Sequence, residues 1–136
     1  MNEQQFRSLL AQVADGWSNG DPGRAADAYA EDGVYVEPPD RQRYVGRAQL
    51  FEFFHGPGPE PRPMRMTWHV MAFDAERQAG FAEYTFQRPG LQLHGIVAVT
   101  VDSSRIASWR EYQYRSDLSF EDFAGDSLRF RRRSDP

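Results

Sequence analysis

Four consecutive runs of strand composition, Met64 to Asp74, Gly80 to Arg88, Leu91 to Val101 and Arg105 to Tyr114, are joined by a few residues of turn chemistry each. The joints are Asp74 to Gln78, Pro89-Gly90 and Asp102 to Ser104. They are too short for the crossover that parallel neighbours need, so the four runs must pair as an antiparallel meander. The first half of the chain reads differently. Phe6, Leu9, Leu10, Val13 and Trp17 recur at helical spacing until Asn19-Gly20, a good terminator. Asp21-Pro22 supplies an N-cap and a first-turn proline for a short second helix that runs through Ala25, Ala26 and Tyr29 and ends near Gly33. Val34 to Glu37 is a strand. After a turn-rich connection, Gly46 to His55 is a third helix burying Leu50, Phe51 and Phe54. Helices first and a curved antiparallel sheet afterwards describe an α+β domain in which three helices lean on one face of a sheet wrapped into a cone.

Gly56 to Pro63 (GPGPEPRP) holds four of the nine prolines and reads as a stiff surface loop. Asp117 to Phe123 is a last helical turn, and the charged end Arg129 to Pro136 is expected to be disordered. That divides the chain into one domain, 1–124, and a tail, 125–136. A length of 136 residues with 40% hydrophobic content suits a single core. The net charge of −4 argues against nucleic acid as a partner. There is no Cys, which excludes disulfides and thiolate metal sites. The N-terminus lacks the basic start and apolar run of a signal peptide, and no apolar stretch is long enough to span a membrane, so a cytoplasmic location away from membranes is expected. His55, His69 and His94 sit on separate elements without metal-ligand spacing, so no metal is expected. Neither a glycine-rich phosphate cradle nor a serine nucleophile elbow is present, and no cofactor is expected.

Chemistry enters with Tyr29 to Pro39 (YAEDGVYVEPP), a short apolar strand ending in one acid. Tyr35 shares the strand face of Glu37, and Pro38 forces Glu37 into extended backbone. A pocket receives a base in this way; an edge strand guarded by Glu and Pro has the same pattern. On the last strand, if Glu111 points inward then so do Trp109 and Gln113, with Arg110, Tyr112 and Tyr114 pointing outward. Leu93, Gly95 and Val97 share one face, where Gly95 would leave room for a ligand, and His94, Ile96 and Ala98 share the other. The aromatic fraction, 14%, is high enough for rings to line a cavity. Its expected walls are Trp17, Tyr29, Tyr35, Phe54, Tyr84, Phe86 and Trp109, with Leu93, Val97 and Gln113. Glu37 and Glu111 entering this cavity would be pushed toward higher pKa, giving an acid and a base together, with His69 between them to orient water or shuttle a proton. In the alternative, Glu111 pairs with an arginine such as Arg47, His69 is a hydrogen-bonded core histidine, and the rings are simply core. The outward set Phe81, Ile96, Ala98, Tyr112 and Tyr114 is too apolar for open solvent, so a homodimer through that face is expected.

In order and spacing, YAEDGVYVEPP, GRAQLFEFF and the late RIASWREY together resemble the nuclear transport factor 2-like superfamily, in particular its SnoaL-like members, over about residues 3–123. The resemblance implies the cone fold, which hosts isomerases, dehydratases, cyclases, epoxide hydrolases and proteins without chemistry. Set against steroid isomerases, Glu37 falls on the base, but the two oxyanion donors fall on Val13 and about Val97, so that reaction is not implied. Against limonene-epoxide hydrolases, Glu111 falls on one catalytic aspartate, Tyr35 and Glu37 on water-holding residues, and the remaining machinery near Tyr84 and Phe86 is missing. His69 falls on a catalytic histidine of scytalone dehydratase. These comparisons imply a pocket for a small hydrophobic molecule with cofactor-independent lyase, isomerase or cyclase chemistry on Glu37 and Glu111, assisted by His69. The competing expectation is binding without turnover.

Overall fold

Helix α1 (Glu3–Ser18) opens on a reciprocal cap: the Asn2 side chain accepts from the Gln5 N–H, and the Gln5 side chain accepts from the Asn2 N–H, both at 2.8 Å. It buries Phe6, Leu9, Leu10, Val13 and Trp17. The computed structural model describes residues 1–37 and 42–125. Pro38, expected to pin Glu37, and the charged end Arg129 to Pro136 lie outside the described residues.

Helix α2 (Pro22–Asp27) starts as expected on the Asp21 cap but stops well short of Gly33. The neighbouring strand takes the chain over at that point. Ile106 donates its N–H to the Ala28 carbonyl at 2.9 Å and the Arg105 guanidinium bonds the Asp27 carbonyl, so Tyr29 already belongs to strand β1 (Tyr29–Glu37). Strand β2 (Gln42–Val45) occupies what reads in sequence as a connection. It is an edge strand of four residues, too short and polar to announce itself. Helix α3 (Arg47–His55) buries Leu50 and Phe54, whereas Phe51 is 43% exposed, contrary to expectation. Phe53 packs instead, stacked on Tyr44 at 4.1 Å.

The meander then forms as β3 (Arg65–Asp74), β4 (Ala79–Arg88), β5 (Leu91–Asp102) and β6 (Arg105–Arg115). Six strands lie in the order β2-β1-β6-β5-β4-β3, antiparallel except for the parallel β1–β6 pair. The result is an α+β domain with a curved open sheet. Helices α1 to α3 cover its inner face, where the Trp68 indole donates to the Leu10 carbonyl at 2.8 Å and ties β3 to α1. A short helix α4 (Phe120–Ala124) lies on the outer face against His69, His94 and Tyr114. Among the described residues no helix is long and apolar enough to cross a membrane.

Candidate functional site

Glu111 is a carboxyl group at the centre of the inner face, 3% exposed. Its surroundings follow from strand geometry. Trp109, two residues earlier on the same face, donates its indole N–H to Glu111 Oε1 at 2.8 Å. Tyr35 stands opposite Trp109 in the parallel ladder, stacks on that indole, and donates its hydroxyl to the same oxygen at 3.0 Å. Tyr84 comes from β4, two strands away, and donates to Oε2 at 3.0 Å.

Tyr84 can reach that far because Gly95 lies in between. A Cβ at Gly95 would sit 2.7 Å from the Tyr84 hydroxyl and 2.8 Å from its ring carbon Cζ. The space expected there for a ligand is therefore filled by Tyr84, because the phenol must cross β5 to meet the acid.

Glu37 completes the group. It ends β1, is partly buried, and lies 3.5 Å from the Tyr35 hydroxyl. That hydroxyl is nearer Glu111, which accepts its hydrogen bond. Burial raises the Glu111 pKa most, and the charge of Glu37 raises it further. The donors Trp109 and Tyr35 pull the other way and lose, leaving Glu111 at about 8. Two carboxyls this close titrate as a pair. Burial, followed by the charge of Glu111, holds Tyr29, Tyr35 and Tyr84 well above the ordinary phenol value, so all three keep their protons.

Both carboxyls line a cavity of about 170 Å³ that opens where β1 and β6 end. Of the expected wall residues, Trp17, Tyr35, Phe54, Phe86, Leu93 and Gln113 line it. Tyr29, Tyr84, Val97 and Trp109 do not; they are buried core, of which Tyr84 and Trp109 act on the pocket through Glu111. The pocket is also more polar than expected, because Gln42, Arg62 and Arg88 join the walls. Arg62 lies in the proline-rich loop and Arg88 beside the Pro89-Gly90 turn. Both could have been found by asking which turns share the sheet end at which β1 stops.

His69 is not between the two acids. Parity on β3 puts it on the outer face, opposite to Trp68, and its Nε2 lies 2.7 Å from Thr85 Oγ1. His94 Nδ1 contacts the same hydroxyl at 2.9 Å, and His94 Nε2 lies 2.8 Å from the Leu118 carbonyl. A carbonyl can only accept, so His94 Nε2 carries a proton; with both imidazoles neutral, Thr85 donates to Nδ1 and His69 donates to Thr85. Phe120 stacks on His69 at 3.6 Å. The alternative Glu111–Arg47 pairing does not form either, since Arg47 Nε donates to the Tyr29 carbonyl at 2.8 Å.

The profile of the SnoaL-like domain matches residues 10–109, nearly three-quarters of the chain. The chain belongs to the SnoaL-like domain family. A comparison with curated protein sequences gives no match. Among solved structures, this SnoaL-like domain is similar to an NTF-2 like protein of unknown function from Burkholderia xenovorans (TM-score 0.71, 17% identity, 88% of this chain and 90% of that one). It is also similar to a ketosteroid isomerase candidate from Kribbella flavida (TM-score 0.69, 19% identity, 85% and 82%). A third is SalBIII, an epoxide hydrolase/cyclase-like enzyme with a described role in pyran-ring formation in the polyether salinomycin (TM-score 0.68, 13% identity, 83% and 93%). At these identities the likeness establishes the NTF2-like fold of the SnoaL-like domain.

Proposed function

We propose that this SnoaL-like domain catalyses cofactor-independent proton transfer on a small ring compound, as an isomerase, a lyase or a cyclase. One observation carries the reading: Glu111 is buried under three aromatic donors with a second carboxyl, Glu37, beside it on the wall of the same pocket. Structural carboxyls are normally settled by a cation or left in water. This one is settled by neutral donors and keeps a raised pKa, as an acid near neutrality requires. A ketosteroid isomerase candidate and an epoxide hydrolase/cyclase-like enzyme of similar fold support the reading.

Glu37, nearer the pocket mouth, acts as the base. It takes a proton from a carbon next to a carbonyl or leaving group, and the C–H electron pair moves toward the electron-poor atom. Glu111 gives its proton to the oxygen where negative charge collects, whether that oxygen stays on the substrate or departs. In an isomerisation Glu37, its proton exchanged with solvent, protonates carbon as Glu111 recovers its proton from the enol oxygen; in an elimination, exchange with solvent resets the pair. His69, on the opposite face of the sheet, has no part in this scheme.

The test is hydrogen exchange at carbon. Small cyclic enones, β-hydroxyketones and epoxides are incubated with the protein in D2O and followed by NMR. At least one should gain deuterium or rearrange, and Glu37→Gln should slow that by about 10² to 10⁴-fold, the usual share of a general base. An unchanged rate in Glu37→Gln, or a Glu111 carboxyl titrating in the ordinary range, returns the pocket to binding without turnover.

For the outer face we infer pairing with a second copy. Phe81, Ile96, Tyr112 and Tyr114 are 45 to 66% exposed there and share one side of three adjacent strands. Sedimentation should give twice the chain mass for the wild type and a smaller species for Tyr112→Glu; a monomeric wild type ends the inference.

A further inference from the structure

The substrate class can be narrowed from the pocket's two cations, an inference that rests on the proposed reading of the pocket as the reaction site. Arg62 is held in place from several directions. Its own N–H donates to the His55 carbonyl at 2.9 Å, which folds the proline-rich loop back onto the end of α3. Its Nη2 donates to the Phe53 carbonyl at 2.9 Å, and its guanidinium stands over the Phe53 ring. Gly56, at φ 81°, leaves the space the guanidinium fills: a Cβ there would lie 2.6 Å from Arg62 Nε. A cation fixed in this way at a pocket wall is preorganised, so little ordering entropy is lost when it binds a partner. Among the described residues it has none of opposite charge. The ion pairs found there involve neither Arg62 nor Arg88.

The polar atoms of the same wall point in the same direction. Arg62 Nε, Trp17 Nε1 and Gln113 Oε1 are buried without a hydrogen-bond partner among the described residues, and all three side chains line the pocket. Two of these atoms are donors. An occupant that brings acceptor oxygens would satisfy them, and a hydrocarbon would not. Charge agrees. Among the described residues, with one proton shared between the two carboxyls, the lining carries the two positive charges of Arg62 and Arg88 against a single negative one, which favours an anion. Size agrees as well: about 170 Å³ is close to the ~150 Å³ of a cavity that holds benzene.

We propose that the pocket selects a single-ring substrate bearing a carboxylate, with the carboxylate against the Arg62 guanidinium and the ring turned inward toward Glu37 and Glu111. Arg62 is a binding residue in this arrangement, and Arg88, exposed at the rim, adds attraction without a fixed contact. The hydrophobic ligand anticipated from sequence thus acquires a charged end.

The probes are cyclohexanecarboxylate and its neutral counterpart cyclohexanecarboxamide, titrated into the protein by calorimetry at low salt. The carboxylate should bind at least about tenfold tighter, as a charge-assisted fork contact implies. Arg62→Gln should abolish that preference, weakening the carboxylate at least about tenfold more than the carboxamide. Arg88→Gln, at an exposed site, should fold normally and lose part of the preference. Equal binding of the two probes, a preference that survives Arg62→Gln, or failure of both probes to bind would overturn the proposal. Deuterium exchange separates this from the reaction. An Arg62-dependent preference with exchange unaffected by Glu37→Gln keeps the carboxylate site and ends the catalytic reading, and the converse pattern does the reverse.

Discussion

Tyr84 and Thr85 are neighbours on β4 and point to opposite faces, so each serves a different buried polar cluster. On the outer face Thr85 joins His69 to His94, and His94 passes on to the Leu118 carbonyl. With neutral imidazoles the chain runs one way, from His69 through Thr85 and His94 to the carbonyl, and each of its protons has an acceptor. The rings lie under Phe120 and Phe123, and together they hold α4 on the sheet. On the inner face Tyr84, Tyr35 and Trp109 donate to a single carboxyl while a second acid lies alongside. That cluster is not closed, because a proton can be held in more than one way and the pocket touches both acids. Buried polar groups as such therefore do not mark a site. An unsettled proton next to a cavity does.

Substitution of the acids should separate the two faces most sharply. Glu37→Gln should cost the exchange reaction about 10² to 10⁴-fold, whereas Thr85→Val should leave it unchanged. If both slowed it equally, the two faces would be one functional unit.

Next in size is the dependence of stability on pH. Folding raises the Glu111 pKa from 4.5 to about 8, so the folded chain holds this proton more tightly than the unfolded chain. As pH rises from about 4.5 to about 8 the unfolded state binds fewer protons than the folded one, and stability falls. The loss approaches about 1.4 kcal/mol per pH unit through the middle of that window and stops above it. Urea unfolding across the window should show the fall in wild type and a flatter profile in Glu111→Gln. An identical fall in the variant would assign the slope to other groups.

Much of the inner cluster is legible in sequence because strand parity is local: once Glu111 is placed inside, Trp109 and Gln113 follow. The turn lengths likewise dictate the meander. What escapes is whatever depends on two distant segments meeting. Gly95 reads as empty space, and only the register with Tyr84 shows that the space is taken. Arg62 reads as part of a surface loop until the hydrogen bonds to His55 and Phe53 turn it toward the pocket. Parity opposes His69 to Trp68, and the resemblance to a dehydratase histidine does not carry over, because the outer-face Thr85 holds the ring. Helix α2 appears too long for a similar reason, since the strand that interrupts it comes some eighty residues later.

A smaller effect tests how the clusters are built. Gly95→Ala should destabilise the fold by about 1 to 3 kcal/mol, as overpacking does, and should also shift the Glu111 titration, because Tyr84 must retreat from Oε2. A thermal shift without a change in titration would make Gly95 a packing residue only.

Thr85→Val is the mildest change and the sharpest probe of the outer face. It keeps the shape of the side chain and removes the hydroxyl that both imidazoles use. The cost should be about 1 kcal/mol, near the low end for disrupted buried hydrogen bonds, because His69 is only partly buried and α4 lies at the edge of the structure. Amide exchange should quicken across Phe120 to Ala124, the segment the relay holds, while the Glu111 titration stays in place. A moved titration would mean that β4 transmits strain from one face to the other. The relay and the acid pair would then form one coupled system instead of two clusters that happen to share a strand.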